Sequence, residues 1–260
     1  MRLLILKTGT TAAEVRGTHG DYERWFTDAL AHHPLSWEVR DVTRDGASAE
    51  TDGIDGILVT GSVKSVCEPE PWMDRNAAPL RGGGDAAPPI LAVCFGCQWL
   101  AAARGGRVTR NPEGWEIGAA DVVLAKEARR DPLFEGIASP MPVLATHEDR
   151  VESLPPGAVR LAGNANSAVQ AFRAAPGIWG VQFHPEATPA ILDILIRLRR
   201  ERLEREAAAP ARHGPGRVDR LLRGLDGFDP LPSRRLLDNF VRFCRERGER
   251  RTGWRAAVPR

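Results

Sequence analysis

The chain has 260 residues, 42% of them apolar and 27% charged, with 36 Lys+Arg against 34 Asp+Glu for a net charge of +2. That is ample apolar material for a core, too much for a disordered chain, and too little length for a catalytic domain plus a large synthetase domain. Met1–Lys7 carries too short an apolar stretch for a secretory leader, no run approaches the roughly 18 apolar residues of a membrane helix, and four cysteines are too few for a disulfide scaffold, so a cytoplasmic protein is expected.

In chain order, Leu3–Leu6 reads as a buried strand, and Asp21–Ala31, with Trp25, Phe26 and Leu30 at near-helical spacing, as a helix. Trp37–Val42 alternates in polarity and Gly56–Thr60 is a short apolar strand. Pro89–Val93 is another, running into Cys94 and then a short helix over Gln98–Arg104 that Gly105-Gly106 stops. This alternation predicts an α/β fold: a doubly wound, mostly parallel sheet with helices on both faces. From Arg107 to Phe183 the pattern shifts to short strands, Asp121–Leu124, Val143–Thr146, Val159–Ala162, Val169–Phe172 and Trp179–Phe183, read as short antiparallel additions. Thr188 then caps a helix starting at Pro189, with Ile191, Ile194, Leu195 and Leu198 along one face. Glu206–Gly216 reads as a linker. Ser233 is expected to cap a last helix striped by Leu236, Leu237, Phe240, Val241 and Cys244, before a frayed Arg-rich end.

Two stretches carry chemistry. In Ile90–Leu100 an apolar strand runs into Cys94, with the small residues Ala92 and Gly96 on either side and a helix directly after. A nucleophile elbow needs this arrangement, because the tight strand-to-helix turn brings backbones close and lifts the sulfur to a helix N-terminus, whose dipole favours the thiolate. A buried structural cysteine is the bland alternative. Gly180–Glu186 is a second apolar strand, ending at His184, with Glu186 two residues on. A thiol nucleophile wants a histidine base, and the base wants a carboxylate to hold its tautomer. A His-x-Glu metal site is the competing reading, disfavoured because no further His/Cys cluster has suitable spacing, and no metal or cofactor is expected.

Together these residues resemble the class I glutamine amidotransferase family. Its elbow, roughly Gly-x-Cys-x-Gly-x-Gln, stands here as Ala92-Val93-Cys94-Phe95-Gly96-Cys97-Gln98, and its His-Pro-Glu as His184-Pro185-Glu186. Thr146–Val151 followed by Leu154-Pro155, and Asn111-Pro112 with Gly114 and Glu116–Gly118, are similar to the GMP-synthase-like branch; Thr60-Gly61-Ser62 falls where the family has its oxyanion loop. The resemblance implies that Cys94 attacks a glutamine side-chain amide, His184 shuttles protons and Glu186 orients it. It further implies an oxyanion hole from the backbone N–H groups of Gly61 and Phe95, and a pocket shaped by Gln98, Ser62, Thr146, His147 and Asp149. Ala92 replaces the usual Gly, Cys97 creates a C-x-x-C pair that could instead act in redox chemistry, and Glu148 stands where many relatives have Gly.

Such proteins deliver ammonia to a synthetase, so the implied partners are a small-molecule substrate, glutamine or a γ-glutamyl compound, and a separate ammonia-accepting synthetase. Stand-alone cleavage of γ-glutamyl amides or peptides is the alternative. Charge raises a third reading. Residues 1–196 carry 18 basic and 25 acidic side chains, whereas residues 197–260 carry 18 and 9. A basic tail can bind nucleic acid, but Arg197–Arg205 interleaves with Glu201, Glu204 and Glu206 at helical spacings, which favours intrahelical pairs. The surplus is therefore read as the outer face of covering helices. One domain over residues 1–260 is expected, with a catalytic core over 1–196 and a basic helical extension, 197–260, packed on it.

Overall fold

Four parallel pairings organise the first half of the chain. β1 (Arg2–Lys7), with its apolar centre Leu3–Leu6, and the apolar runs β3 (Gly56–Val59), β4 (Ile90–Val93) and β11 (Ile178–Val181) lie side by side, with the half-exposed β2 (Ser36–Asp41) on the outer edge of β1. Continuous apolar runs suit strands covered on both faces. The sheet then continues through antiparallel pairings from β11 to β10 (Ala171–Ala175), β9 (Val159–Gly163), β6 (Glu116–Leu124) and β7 (Met141–His147), giving the order β2-β1-β3-β4-β11-β10-β9-β6-β7. A separate ribbon pairs β5 (Arg107–Arg110) with β8 (Asp149–Ser153). The computed structural model describes residues 1–44, 50–84, 87–207 and 216–257.

Alternate residues of β1 show how the sheet is covered. Leu3 and Ile5 face a core shared with Phe26 of α2 (Tyr22–Ala29) and with Leu236, Leu237, Phe240, Val241 and Cys244 of α9 (Leu231–Ala257). Leu4 and Leu6 face the opposite core, shared with α3 (Pro71–Arg75), α4 (Ala78–Arg81) and α5 (Phe95–Ala103). A third cluster gathers α1 (Ala13–His19), α2, α6 (Pro189–Leu198), α7 (Arg200–Ala207) and α8 (Arg217–Arg223) against Ile117 and Leu144. The expected α/β architecture is therefore present, and helices cover both faces. No described helix is long and apolar enough to cross a membrane.

Several local expectations change. The helix after Cys94 begins at Phe95 rather than Gln98, because Gly96 and Cys97 already hold helical backbone. Asp121–Leu124 is the end of a longer strand that starts at Glu116. Thr188 does cap α6, accepting from the Ile191 N–H at 3.4 Å. Ser233 does not cap α9: the helix starts at Leu231, whose N–H donates to Asp229 Oδ1 at 2.9 Å, while Ser233 Oγ donates to the Pro230 carbonyl. The Arg-rich end continues α9 to Ala257 instead of fraying. The middle of the Glu206–Gly216 linker, residues 208–215, lies outside the described residues.

Candidate active site

β4 is buried along its whole length and hands the chain to Cys94 at the C-terminal edge of the sheet. Cys94 has φ 52° and ψ −107° and is the one non-glycine residue with positive φ among the described residues. Such a conformation costs on the order of 1–3 kcal/mol and persists only where its surroundings over-determine it. Here the Cys94 N–H donates to Val181 O at 2.8 Å, the Gly96 N–H to Thr60 O at 3.2 Å, and Cys94 O accepts from the Gln98 N–H at 3.1 Å. Strands β3 and β11 thus clamp the turn from both sides. A Cβ at Gly96 would stand 2.8 Å from Val59 O, so this position tolerates no side chain. Ala92, fully buried, takes the place of the family's glycine without strain.

His184 leaves the end of β11, next to β4 in the sheet, and its N–H donates to Leu144 O at 2.8 Å. Its Nδ1 lies 2.7 Å from Glu186 Oε1, both residues are buried, and its Nε2 has no hydrogen-bond partner. Burial alone would lower the imidazole pKa. The charges of Glu186 and Cys94 and the hydrogen bond to Glu186 outweigh that and raise it to about 10, so the ring is cationic at neutral pH. Gly61 stands beside both groups, since a Cβ there would lie 3.0 Å from His184 Cε1 and 3.7 Å from Cys94 Cβ. Phe95 opens α5, and the first four N–H groups of a helix lack intrahelical acceptors.

Cys94 and His184 share a cleft of about 350 Å³ with Phe95, Gln98, Ser62, Thr146, His147 and Asp149. The expected residues therefore converge, but several are committed to the framework. Gln98 Nε2 donates to Asp149 O (2.9 Å) and Gln182 Oε1 (3.1 Å). Ser62 Oγ donates to Thr8 O, and Thr146 contributes its carbonyl, 3.7 Å from Cys94 Sγ. The His147–Asp149 segment is the junction of β7 and β8, with only Glu148 between them. His147 turns Nδ1 to Asp149 O and Nε2 to within 3.0 Å of Glu116 Oε2. Burial would raise the Glu116 carboxyl, but His147, Asn164 and Gln170 hold it below its usual range. Cys97 is a fully buried core residue whose thiol burial pushes well up, which disfavours thiolate redox chemistry at neutral pH.

The rim holds residues that the motifs did not flag: Tyr22, Trp25, Lys64, Glu68, Arg110, Trp115, Leu195, Arg199 and Arg202. Trp115 is buried in the third core cluster and also lines the cleft, with the guanidinium groups of Arg199 and Arg202 at 4.9 and 4.6 Å from its ring centroid. Glu148 accepts two hydrogen bonds from Arg202 (2.8 and 2.5 Å) and one from Arg110 (3.3 Å). Part of the basic segment therefore reaches the cleft, contrary to its reading as an outer face only; Arg202–Glu206 and Arg205–Glu201 do form the expected intrahelical pairs, and Arg197 pairs with Asp193 instead. One sequence signal for Arg199 exists: its i−4 and i+4 neighbours are Leu195 and Leu203, so it interrupts an apolar stripe. Away from the cleft, His32 and His33 both approach Asp238 Oδ1 (2.8 and 2.9 Å), with candidate ligand atoms within 4.8 Å of one another, and none of the three lines the cleft.

Comparison with known proteins places this geometry in a family. The model of the class-I glutamine amidotransferase domain matches residues 18–195. The chain is 45% identical over 101 residues to the glutamine-hydrolyzing GMP synthase of Thermosipho africanus, a match covering 38% of this chain and 19% of that protein. It is 27% identical over 187 residues to γ-glutamyl peptidase 4 of Arabidopsis thaliana, covering 70% of this chain and 74% of that one. A solved glutamine amidotransferase from Methylobacillus flagellatus superposes with a TM-score of 0.73 at 24% identity, over 93% of this chain and 94% of its own. The chain belongs to the class-I glutamine amidotransferase family.

Proposed function

We propose that the chain hydrolyses the side-chain amide of a γ-glutamyl group through a thioester on Cys94, with His184 as acid and base and Glu186 as its orienting carboxylate. The observation that carries this reading is a cysteine held at φ 52° beside a buried histidine whose Nδ1 is fixed by a carboxylate and whose Nε2 is left free. The sulfur adds to the amide carbon, and the carbonyl electrons move onto oxygen. The N–H groups of Gly61 and Phe95 receive that oxyanion, each donor worth about 2.7–4 kcal/mol in comparable acyl-transfer sites. As the C–N bond breaks, His184 Nε2 gives its proton to the departing amine. Water then loses a proton to His184, attacks the thioester and releases the free γ-carboxylate with the sulfur restored.

The electrostatics suit this order. Part of the rise in the His184 pKa depends on a thiolate at Cys94. Forming the thioester removes that charge, so the imidazolium becomes a stronger acid when the leaving amine needs a proton. Arriving water then meets a neutral base.

With glutamine the leaving group is ammonia, which on this reading passes to a separate synthetase; the GMP synthase relative supports it, and the chain spans only 19% of that protein. Cleavage of larger γ-glutamyl compounds is the second reading. The peptidase relative, aligned over 74% of its own length, favours it, as does the charged rim around Glu148. The test compares ammonia release from glutamine with cleavage of γ-glutamyl peptides and follows a γ-glutamyl adduct on Cys94 by mass spectrometry. Loss of both adduct and turnover in Cys94→Ala is expected. A Cys94→Ala protein with full activity overturns the mechanism.

A further inference from the structure

Among the cationic side chains lining the cleft, Arg199 differs from the rest. Lys64 pairs with Glu70, Arg110 with Glu68, Glu148 and Asp149, and Arg202 with Glu148 and Glu206. Arg199 forms no ion pair among the described residues. Its Nη1 donates to Leu195 O at 3.1 Å, and its guanidinium lies 4.9 Å from the Trp115 ring centroid. It stands at the junction of α6 and α7, four residues from each of the buried Leu195 and Leu203. Burial lowers its pKa, as expected of a cation taken partly out of water without a counter-charge. A guanidinium so placed retains donors in the planar fork that matches a carboxylate.

Its location relates it to the nucleophile. Arg199, Tyr22 and Cys94 line the same cleft. The Tyr22 ring edge would touch a Cβ at Gly61 at 3.5 Å, the same Cβ that would stand 3.7 Å from Cys94 Cβ. The cleft thus holds an arginine without an ion pair together with the acyl-transfer centre. Glu148, the acidic neighbour that Arg199 senses, is already committed to Arg202 and Arg110.

We infer that Arg199 is the carboxylate-binding group of this cleft, so that its substrates are γ-glutamyl compounds carrying a free carboxylate which docks on the Arg199 guanidinium over the Trp115 face. The inference rests on the reading of Cys94 as the γ-glutamyl acceptor. The carboxylate belongs either to the glutamyl α-position or to the leaving amine. Both positions offer the same chemistry to the guanidinium, and the test distinguishes them.

Binding is measured by calorimetry in a Cys94→Ala background, with and without Arg199→Met, for four probes: glutamine, its α-carboxamide, γ-glutamylglycine, and γ-glutamylglycine amidated at its C-terminus. Kinetics of the active enzyme and Arg199→Met use the same set. The background chain is expected to prefer one carboxylate over its amide by about ten- to a hundredfold, the loss expected of a charge-assisted pair. Arg199→Met is expected to erase that preference while leaving the corresponding amide bound and turned over as before, which also controls for folding. Loss confined to the glutamine pair assigns the α-carboxylate, and loss confined to the glycine terminus assigns the leaving group. Equal weakening of all four probes, no effect, or no binding of any probe overturns the assignment. Turnover that disappears only in Cys94→Ala upholds the mechanism independently.

Discussion

The floor of the cleft is made by backbone, and its rim by long side chains. At the floor, β3, β4 and β11 end side by side, and hydrogen bonds of 2.8–3.2 Å from Cys94 and Gly96 to the neighbouring strands fix the sulfur in a conformation that side chains rarely adopt. At the rim, Arg110, Glu148 and Arg202 come from β5, the β7–β8 junction and α7, meeting through ion pairs that are partly solvated. Paired strands allow the floor little displacement, whereas rim charges rearrange at small cost. Chemistry and selectivity are thereby placed on supports of different stiffness.

The hardest test of that contrast is Cys94→Gly. Removing the sulfur should abolish γ-glutamyl hydrolysis, a loss on the order of 10⁴-fold or more as for other covalent nucleophiles. It should also stabilise the fold, because glycine relaxes the positive φ; a gain of about 1 kcal/mol in urea unfolding is expected. An inactive but less stable variant would mean the elbow is not under strain.

Glu186→Gln follows in size. Loss of the carboxylate should cut kcat by about 10²–10⁴-fold with little change in KM, since the base keeps its place but loses its tautomer control. It also tests linkage. The His184 pKa is raised from 6.5 to about 10, so the imidazolium contributes stability that is complete below about pH 6.5 and lost as pH rises through 10. Urea midpoints should therefore fall more steeply between pH 6.5 and 10 for the native chain than for Glu186→Gln. Parallel slopes would remove the Glu186–His184 coupling from the account.

Gly96→Ala probes the floor without touching chemistry. The added Cβ meets the Val59 carbonyl at 2.8 Å, and backbone on a central strand cannot yield as a side chain does. A destabilisation of about 1–3 kcal/mol is expected by chemical denaturation. A neutral result would show that the α5–β3 contact opens easily.

The same division explains what could be read from the sequence. Ala92–Gln98 and Gly180–Glu186 are local, each a strand plus the residue it delivers, so the strand-end positions of Cys94, His184 and Glu186 were legible from short windows. The parallel half of the sheet was legible for the same reason, as apolar runs between helical stretches. The ribbon of β5 and β8 was not, because Arg107–Arg110 and Asp149–Ser153 are too short and polar to declare themselves without each other. Arg199 and Arg202 escaped because interleaved Arg and Glu look alike on a solvated helix and on one whose arginines reach over Trp115. Ser233 misled because a serine before an apolar stripe signals a cap, yet Asp229 supplies an oxygen earlier.

The smallest expected effect concerns Glu148. Glu148→Ala removes the acceptor that Arg202 and Arg110 share, but Arg202 keeps Glu206 and the Trp115 face, and Arg110 keeps Glu68 and Asp149. Stability should change by less than about 1 kcal/mol, since these pairs are partly exposed and each arginine has another carboxylate. The cleft mouth becomes more positive. If charge at the rim only attracts and orients substrate, KM for an anionic γ-glutamyl substrate should fall by about two- to threefold at low ionic strength, the effect should fade as salt screens it, and kcat should stay constant. A change in kcat that survives high salt would mean that Glu148 positions the floor through β8, where Asp149 O holds both Gln98 Nε2 and His147 Nδ1. In that case the rim and the floor would be one mechanical unit, and the contrast between them would fail.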